Sequence, residues 1–176
     1  MKLLSFLAIA LALSLSVPAH ASKSAGTVVD DNTINASVKA NLIGSKQTKA
    51  RHINVETYKG VVQLSGFAAT QAEKDEAGKI AKAVDGVKDV RNDIAIAPDT
   101  AFGQKFDDSV TTGKVKAALI DTKDVKSGAI NVETRGGIVQ LSGFVPNDAM
   151  RDKAGKVAEK VEGVKQLDNV LQIRPE

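Results

Sequence analysis

The side chains that could do chemistry are few. Once the first 21 residues are set aside, the chain holds a single histidine, His52, and it has no cysteine anywhere. An imidazole that binds a metal or moves a proton needs companions, either further ligands or a group to activate. No cysteine or second histidine can join His52, so it is predicted to be an ordinary surface residue. The absence of cysteine also excludes thiol chemistry, a disulfide framework and a lipid-bearing cysteine. No G-x-S-x-G, H-E-x-x-H or phosphate-cradling glycine loop occurs. The chain reads as non-enzymatic, with no cofactor and no metal site.

Two acidic pairs, Asp30-Asp31 and Asp107-Asp108, raise the question of a cation site. Carboxylates favour helix starts, where free amides and the helix dipole attract negative charge, and capping is the expected role of both pairs. Two basic sets remain. Lys74, Lys79 and Lys82 form one; Arg151, Lys153, Lys156 and Lys160 form the other. A surface for anionic lipid is one reading, stronger in the second set. Glu73, Asp75, Glu76, Asp152 and Glu159 are interspersed, and no Trp or Phe stands at an apolar edge. A solvated outer face is therefore the expectation, and any lipid contact should be weak and sensitive to salt. Overall charge is +3 with a pI near 9.0. That small lysine excess argues for no nucleic-acid partner.

The elements that must position these residues come twice. Asn54-Val55-Glu56-Thr57 recurs as Asn131-Val132-Glu133-Thr134, 77 residues on. At the same offset Val62-Gln63-Leu64-Ser65-Gly66-Phe67 recurs as Val139-Gln140-Leu141-Ser142-Gly143-Phe144, Ala77-Gly78-Lys79 as Ala154-Gly155-Lys156, and Gly86-Val87-Lys88 as Gly163-Val164-Lys165. A gapless repeat of this length is domain-sized. The alternatives at His52 and Ala129 differ between copies, which again speaks against a histidine site.

Each copy predicts the same order. A first helix runs from about Asp31 to Ile43, with Ile34, Val38 and Leu42 on one stripe and Gly44 where it stops. In the second copy Val115 and Leu119 keep the stripe but Thr111 replaces Ile34, which predicts a weaker helix start. A hairpin follows: Ile53, Val55 and Thr57 alternate with Asn54 and Glu56. Tyr58-Lys59-Gly60 (Arg135-Gly136-Gly137) supplies the turn, and Val61 to Phe67 returns. Gly66 marks a bulge or the close approach of another backbone. Thr70-Gln71-Ala72-Glu73 reads as a capping box for a second helix with Ala77, Ile80, Ala81 and Val84 inward (Ala154, Val157, Ala158 and Val161 in the copy) and Gly86 or Gly163 at its end. A last strand carries Val90, Asn92, Ile94 and Ile96, with Leu167, Asn169, Leu171 and Ile173 in the copy.

The fold class is α+β: two tandem α-β-β-α-β modules, each a small mixed three-stranded sheet with two helices packed on one face. The other sheet face carries Asn54, Glu56, Gln63 and Ser65, and should be wet or meet a partner. The repeated glycines are explained by backbone geometry and the alternating Val and Leu by a core, so the repeated hairpin is read as structure and not as a site.

The start of the chain reads differently. Lys2 precedes an apolar run from Leu3 to Val17, then Pro18 and the small-residue site Ala19-His20-Ala21. The run is shorter than the ~20 residues of a spanning helix, and this is the pattern of a secretory signal cleaved after Ala21. The expected division is a signal at 1–21, a loose stretch at 22–29, a first domain at 30–97, a linker at 98–106 and a second domain at 107–176.

The N-V-x-T-x-x-G-x-V-x-L-S-G-F hairpin, the Gly-Val after the second helix and the V-x-N-x-I-x-I strand resemble the BON domain family, found in bacterial osmotically inducible periplasmic proteins. The resemblance spans roughly 31–97 and 107–174. It implies a non-catalytic periplasmic module associated with phospholipid attachment, envelope integrity and stress response, which the lack of a lipid-bearing cysteine leads us to expect as a soluble protein once the signal is removed. It further implies chaperone-like binding of exported or unfolded proteins as one function. Docking on anionic phospholipid through Arg151, Lys153, Lys156 and Lys160 is the alternative.

Overall fold

The computed structural model describes residues 30–97 and 102–174. The signal, its cleavage site at Ala19 and Ala21 and the stretch 22–29 lie outside the described residues. The first domain comprises α1 (Asp31–Gly44), β1 (Ile53–Tyr58), β2 (Val61–Ala68), α2 (Gln71–Lys82), β3 (Asp89–Asn92) and β4 (Ala95–Ile96). The second comprises α3 (Phe102–Ile120), β5 (Asn131–Arg135), β6 (Ile138–Ser142), β7 (Phe144–Val145), α4 (Asp148–Ala158), β8 (Gln166–Asn169) and β9 (Gln172–Ile173). Short 3-10 turns at Ala50–His52 and Ser127–Ala129 lead into β1 and β5.

Within each domain the hairpin is antiparallel, with Val55 opposite Leu64 and Val132 opposite Leu141. The last strand returns parallel to its predecessor, so that Leu64 faces Asn92 and Leu141 faces Asn169. The predicted module is therefore the observed one, with one correction. The last strand is broken. β3 stops at Asn92, and the chain resumes as β4 beside Phe67 and Ala68; β8 and β9 break likewise. Asp93 lies in the break, where its amide still bonds the Leu64 carbonyl. Ile94 is buried, but Ile96 is 46% exposed at the sheet's end.

Both helices of a domain cover one sheet face. Ile34, Val38 and Leu42 of α1 meet Val55, Val62, Leu64, Ala77 and Ala81 in one core. Val115 and Leu119 of α3 meet Val132, Val139, Leu141, Ala154 and Ala158 in the other. Two repeated glycines make this packing possible. A Cβ on Gly78 would lie 2.8 Å from Asn92 Nδ2, and one on Gly155 2.8 Å from Asn169 Nδ2. Those amides donate to helix carbonyls, Asn92 to Lys74 and Asn169 to Arg151. Helix and strand thus touch where a larger residue would push them apart.

Several helix-end expectations need revising. Asp30 caps α1 by accepting from the Asn32 amide, but Asp31 reaches across to the hairpin turn. Asp107 and Asp108 do not start a helix at all. α3 begins at Phe102, so part of the segment read as a linker is helical. In the capping box Thr70 accepts from the Glu73 amide as expected. The Glu73 carboxylate, however, takes the Ala69 amide and the Lys49 amide, tying the helix to the loop before β1. α2 ends at Lys82 and α4 at Ala158, before Gly86 and Gly163, which turn the chain at φ +88 and +100.

Candidate functional site

The open question left by the hairpin is what its polar face meets. It meets the same face of the other domain. Gln63, Ser65, Gln140 and Ser142 are buried to 1–2% exposure, and their bonds run in reciprocal pairs across the junction. Gln63 Oε1 accepts from the Gly143 amide at 2.8 Å, and Gln140 Oε1 accepts from the Gly66 amide. Gln63 Nε2 donates to the Val170 carbonyl, and Gln140 Nε2 to the Asp93 carbonyl. Asn54 donates to Glu133, and Asn131 to Glu56. The Ser65 and Ser142 hydroxyls bond each other at 2.8 Å. Each contact is matched by its counterpart one repeat away, the rule of a two-fold interface built inside one chain.

The junction explains the repeated Gly-Phe. Gly66 and Gly143 have φ of +96 and +120, and a Cβ would fall 2.1 Å from the His52 carbonyl oxygen or 2.2 Å from that of Ala129. The bulge turns each glycine amide toward the opposite glutamine. Phe67 packs under the Arg135 guanidinium at 5.3 Å, and Phe144 lies 5.7 Å from the Tyr58 ring. Arg135, 6% exposed, also donates to the Ala97 carbonyl across the junction. Tyr58 and Arg135 occupy one repeat position, so the two ends of the interface use different chemistry at related places.

The acidic pairs serve the hairpin turns. Asp31 accepts from the Lys59 and Gly60 amides at 2.7 and 2.8 Å; Asp108 accepts from Gly136 and Gly137 at 2.8 and 2.9 Å. Both turns have two successive residues at positive φ, Lys59-Gly60 and Gly136-Gly137, the geometry that closes tight hairpins. The carboxylates satisfy amides that such turns leave unpaired.

The basic residues singled out in the sequence do not make one free patch. Arg151 is bonded to Asp148 at 2.7 Å and to Asp152 at 3.4 Å. Lys153 donates to the Lys123 carbonyl and lies 3.5 Å from Asp124. Lys156 and Lys160 are exposed, the latter beyond the end of α4. Lys79 lies 3.9 Å from Glu76 in the first domain. His52 is half-buried, accepts from Arg51 Nε at 2.9 Å, and lines a cleft of 560 Å³ between the domains with Arg51, Lys105 and Thr134. One titration stands out at the rim of a neighbouring hollow: Lys114, 2.8 Å away, holds the exposed Glu162 carboxyl below its usual range.

With the sheets turned inward, helices and strand edges face outward. Ile43 and Ile120, the same position in each repeat, are 75% and 66% exposed at the ends of α1 and α3. A notch of 200 Å³ opens beside Ile120, lined by Lys116, Leu119, Gly128, Ile130 and Val132. The sequence hid these isoleucines, because a lone apolar residue next to a helical stripe looks like part of it. No described helix is long and apolar enough to cross a membrane.

A tandem α-β-β-α-β chain docked through its repeated Leu-Ser-Gly-Phe strands places the protein in the BON domain family, to which it belongs; the family model matches residues 30–98 and 107–175. Osmotically-inducible protein Y of Escherichia coli (strain K12) is 39% identical over 85% of this chain and 75% of its own length. The 21 kDa hemolysin of Actinobacillus pleuropneumoniae is 35% identical over 85% of this chain and 77% of its own. Outer membrane lipoprotein DolP of Haemophilus influenzae is 32% identical over 85% of this chain and 78% of its own. These similarities place the chain among BON proteins related to the envelope and osmotic stress.

Proposed function

We propose that this is a non-catalytic periplasmic protein of the hyperosmotic and envelope stress response that holds exported client proteins in a chaperone-like way. The observation that carries the reading is the exposed pair Ile43 and Ile120, repeated on both domains of one docked unit. Two apolar points on separate domains suit loose, multivalent contact with an unfolded chain, where individually weak contacts add through high effective concentration. Similarity to an osmotically inducible protein supports the stress setting.

Docking on anionic phospholipid is the second reading. Similarity to an outer membrane lipoprotein favours it, but the basic residues of α4 are its weak point. Arg151 and Lys153 already have acidic or carbonyl partners, and interfacial helices want bulky apolar residues beside their cations.

The test is binding of residues 22–176 to a permanently unfolded, alkylated protein, read by fluorescence anisotropy. Saturable binding that is lost in the Ile43→Ser, Ile120→Ser double variant is expected. Absence of binding, with co-sedimentation on anionic vesicles that Lys153→Glu, Lys156→Glu and Lys160→Glu abolish, would instead establish the lipid reading.

A further inference from the structure

A hollow of 380 Å³ opens on the second domain, a volume within the range of small-ligand pockets. Three elements wall it. α3 supplies Asp107, Thr111 and Lys114, the turn between β5 and β6 supplies its two glycines, and the loop between α4 and β8 supplies Glu162 and Lys165. Thr111 is the unexpected member. It is 6% exposed, and its Oγ1 lies so close to Gly163 that a Cβ there would come within 2.5 Å of it. Ser109 on the same helix bonds the Lys105 carbonyl one turn back. Thr111 makes no such bond, and no described residue partners its hydroxyl. A buried hydroxyl left without a partner is unfavourable, and this one lines the hollow.

The first repeat keeps the loop charges, as Asp85 and Lys88, but not the α3 set. Ile34 stands in place of Thr111 and is 1% exposed in the apolar core. Ser37 stands in place of Lys114. Asp30, the counterpart of Asp107, is committed to the Asn32 amide as the cap of α1. Because α3 starts at Phe102, Asp107 lies inside a helix and caps nothing. It is exposed and without a hydrogen bond or ion pair among the described residues. Asp108 is taken up by the turn amides. Two carboxylates, Asp107 and Glu162, and two ammonium groups, Lys114 and Lys165, then remain on the lining. Lys114 and Glu162 pair at 2.8 Å, and Lys165 is exposed with no ion-pair partner among the described residues. The lining is balanced in charge. A simple anion meets opposing carboxylates here and a simple cation meets opposing ammonium groups. A molecule carrying one charge of each sign finds a partner for both.

We propose that this hollow binds a small zwitterion of the amino-acid or dipeptide class, with a primary ammonium and a carboxylate. The Thr111 hydroxyl and Lys165 take the carboxylate; Asp107 and Glu162 take the ammonium. Hydrogen bonds to charged groups are the strong ones, and Asp108 already fixes the glycine turn that forms one wall, so little ordering is needed on binding. The site is separate from the exposed isoleucines of the client reading, and neither depends on the other.

The probe is glycylglycine, titrated into isotope-labelled residues 22–176 and followed by NMR. Saturable shifts are expected at the Thr111, Gly137 and Gly163 amides, with a Kd on the order of 1 mM, while those of Ile34, Gly60 and Gly86 stay still. N-acetylglycylglycine lacks the ammonium and glycylglycinamide lacks the carboxylate, and each should bind about tenfold or more weakly. Thr111→Ile removes the hydroxyl and installs the first repeat's residue. Lys165→Met removes an exposed charge and leaves the core alone. Each should weaken glycylglycine by about tenfold. The urea midpoint of Lys165→Met stays native, so its lost binding is not lost folding. No saturable shift up to about 10 mM, equal binding of either singly charged analogue, equal shifts at the first-repeat positions, or undiminished binding in both variants overturns the proposal.

Discussion

Replacing Gln140 by leucine removes one of the two glutamines that bridge the domain junction while keeping its bulk. Gln140 is 1% exposed, accepts from the Gly66 amide of the other domain, and donates to the Asp93 carbonyl and the Asp168 carboxylate at 2.9 and 2.8 Å. The leucine leaves the Gly66 N–H buried with no acceptor, because the bulge points it away from its own sheet. Stranding one buried amide costs about 1–3 kcal/mol, and the lost bonds to Asp93 and Asp168 bring the expected loss to about 2–4 kcal/mol. In urea this lowers the midpoint by on the order of 1 M. Tyr58 is the only tyrosine and there is no tryptophan, and its ring packs on Phe144 of the other domain. Tyrosine fluorescence therefore reports the junction and far-UV circular dichroism the whole fold. The two transitions should coincide in the native chain. In Gln140→Leu the fluorescence transition should move first. Gln63→Leu should behave alike, since Gln63 makes the reciprocal bonds. Exposed Gln47→Leu is the control and should stay within about 0.5 kcal/mol. A Gln140→Leu midpoint no different from that control would refute the docked-sheet account.

Three other perturbations follow from single contacts. Gly66→Ala places a methyl on the His52 carbonyl oxygen at an unfavourable φ and should destabilise by about 3 kcal/mol or more, measured by denaturation. Thr57→Val should stabilise by about 1 kcal/mol in the same assay, because the Thr57 hydroxyl is buried without a partner whereas its counterpart Thr134 bonds Thr112. Lys114→Met should return the Glu162 carboxyl toward its ordinary range, followed by NMR titration. The depressed carboxyl contributes stability above its unfolded value and loses it as pH falls through the folded one, so native and variant should differ in stability at neutral pH and converge in acid.

Much of the fold was legible because it depends on periodicity and repetition. The Ile34-Val38-Leu42 and Ala77-Ile80-Ala81 stripes, the alternation of β1 and the fixed offset between copies place the main helices and strands, but not the break in the last strand, the start of α3 at Phe102 or the short 3-10 turns. That break depends on Asp93 and its neighbours serving the junction, a tertiary demand that local pattern does not carry. The polar strand face was visible as Asn54, Glu56, Gln63 and Ser65, yet its destiny was not. Alternating polar residues look the same whether they meet water or a second copy of themselves. Asp31 and Asp108 misled for a related reason. A carboxylate beside a helix start satisfies amides in either direction, and only the folded hairpin shows that the turn wins.

The most direct test of the functional account is the aggregation of an unfolding exported protein, followed by light scattering with and without an equimolar amount of residues 22–176. The account predicts suppressed scattering, retained when Lys153, Lys156 and Lys160 are reversed in charge and lost when Ile43 and Ile120 become serine. Scattering equal to that with an inert protein, or protection that disappears with the lysines and survives loss of the isoleucines, would contradict it.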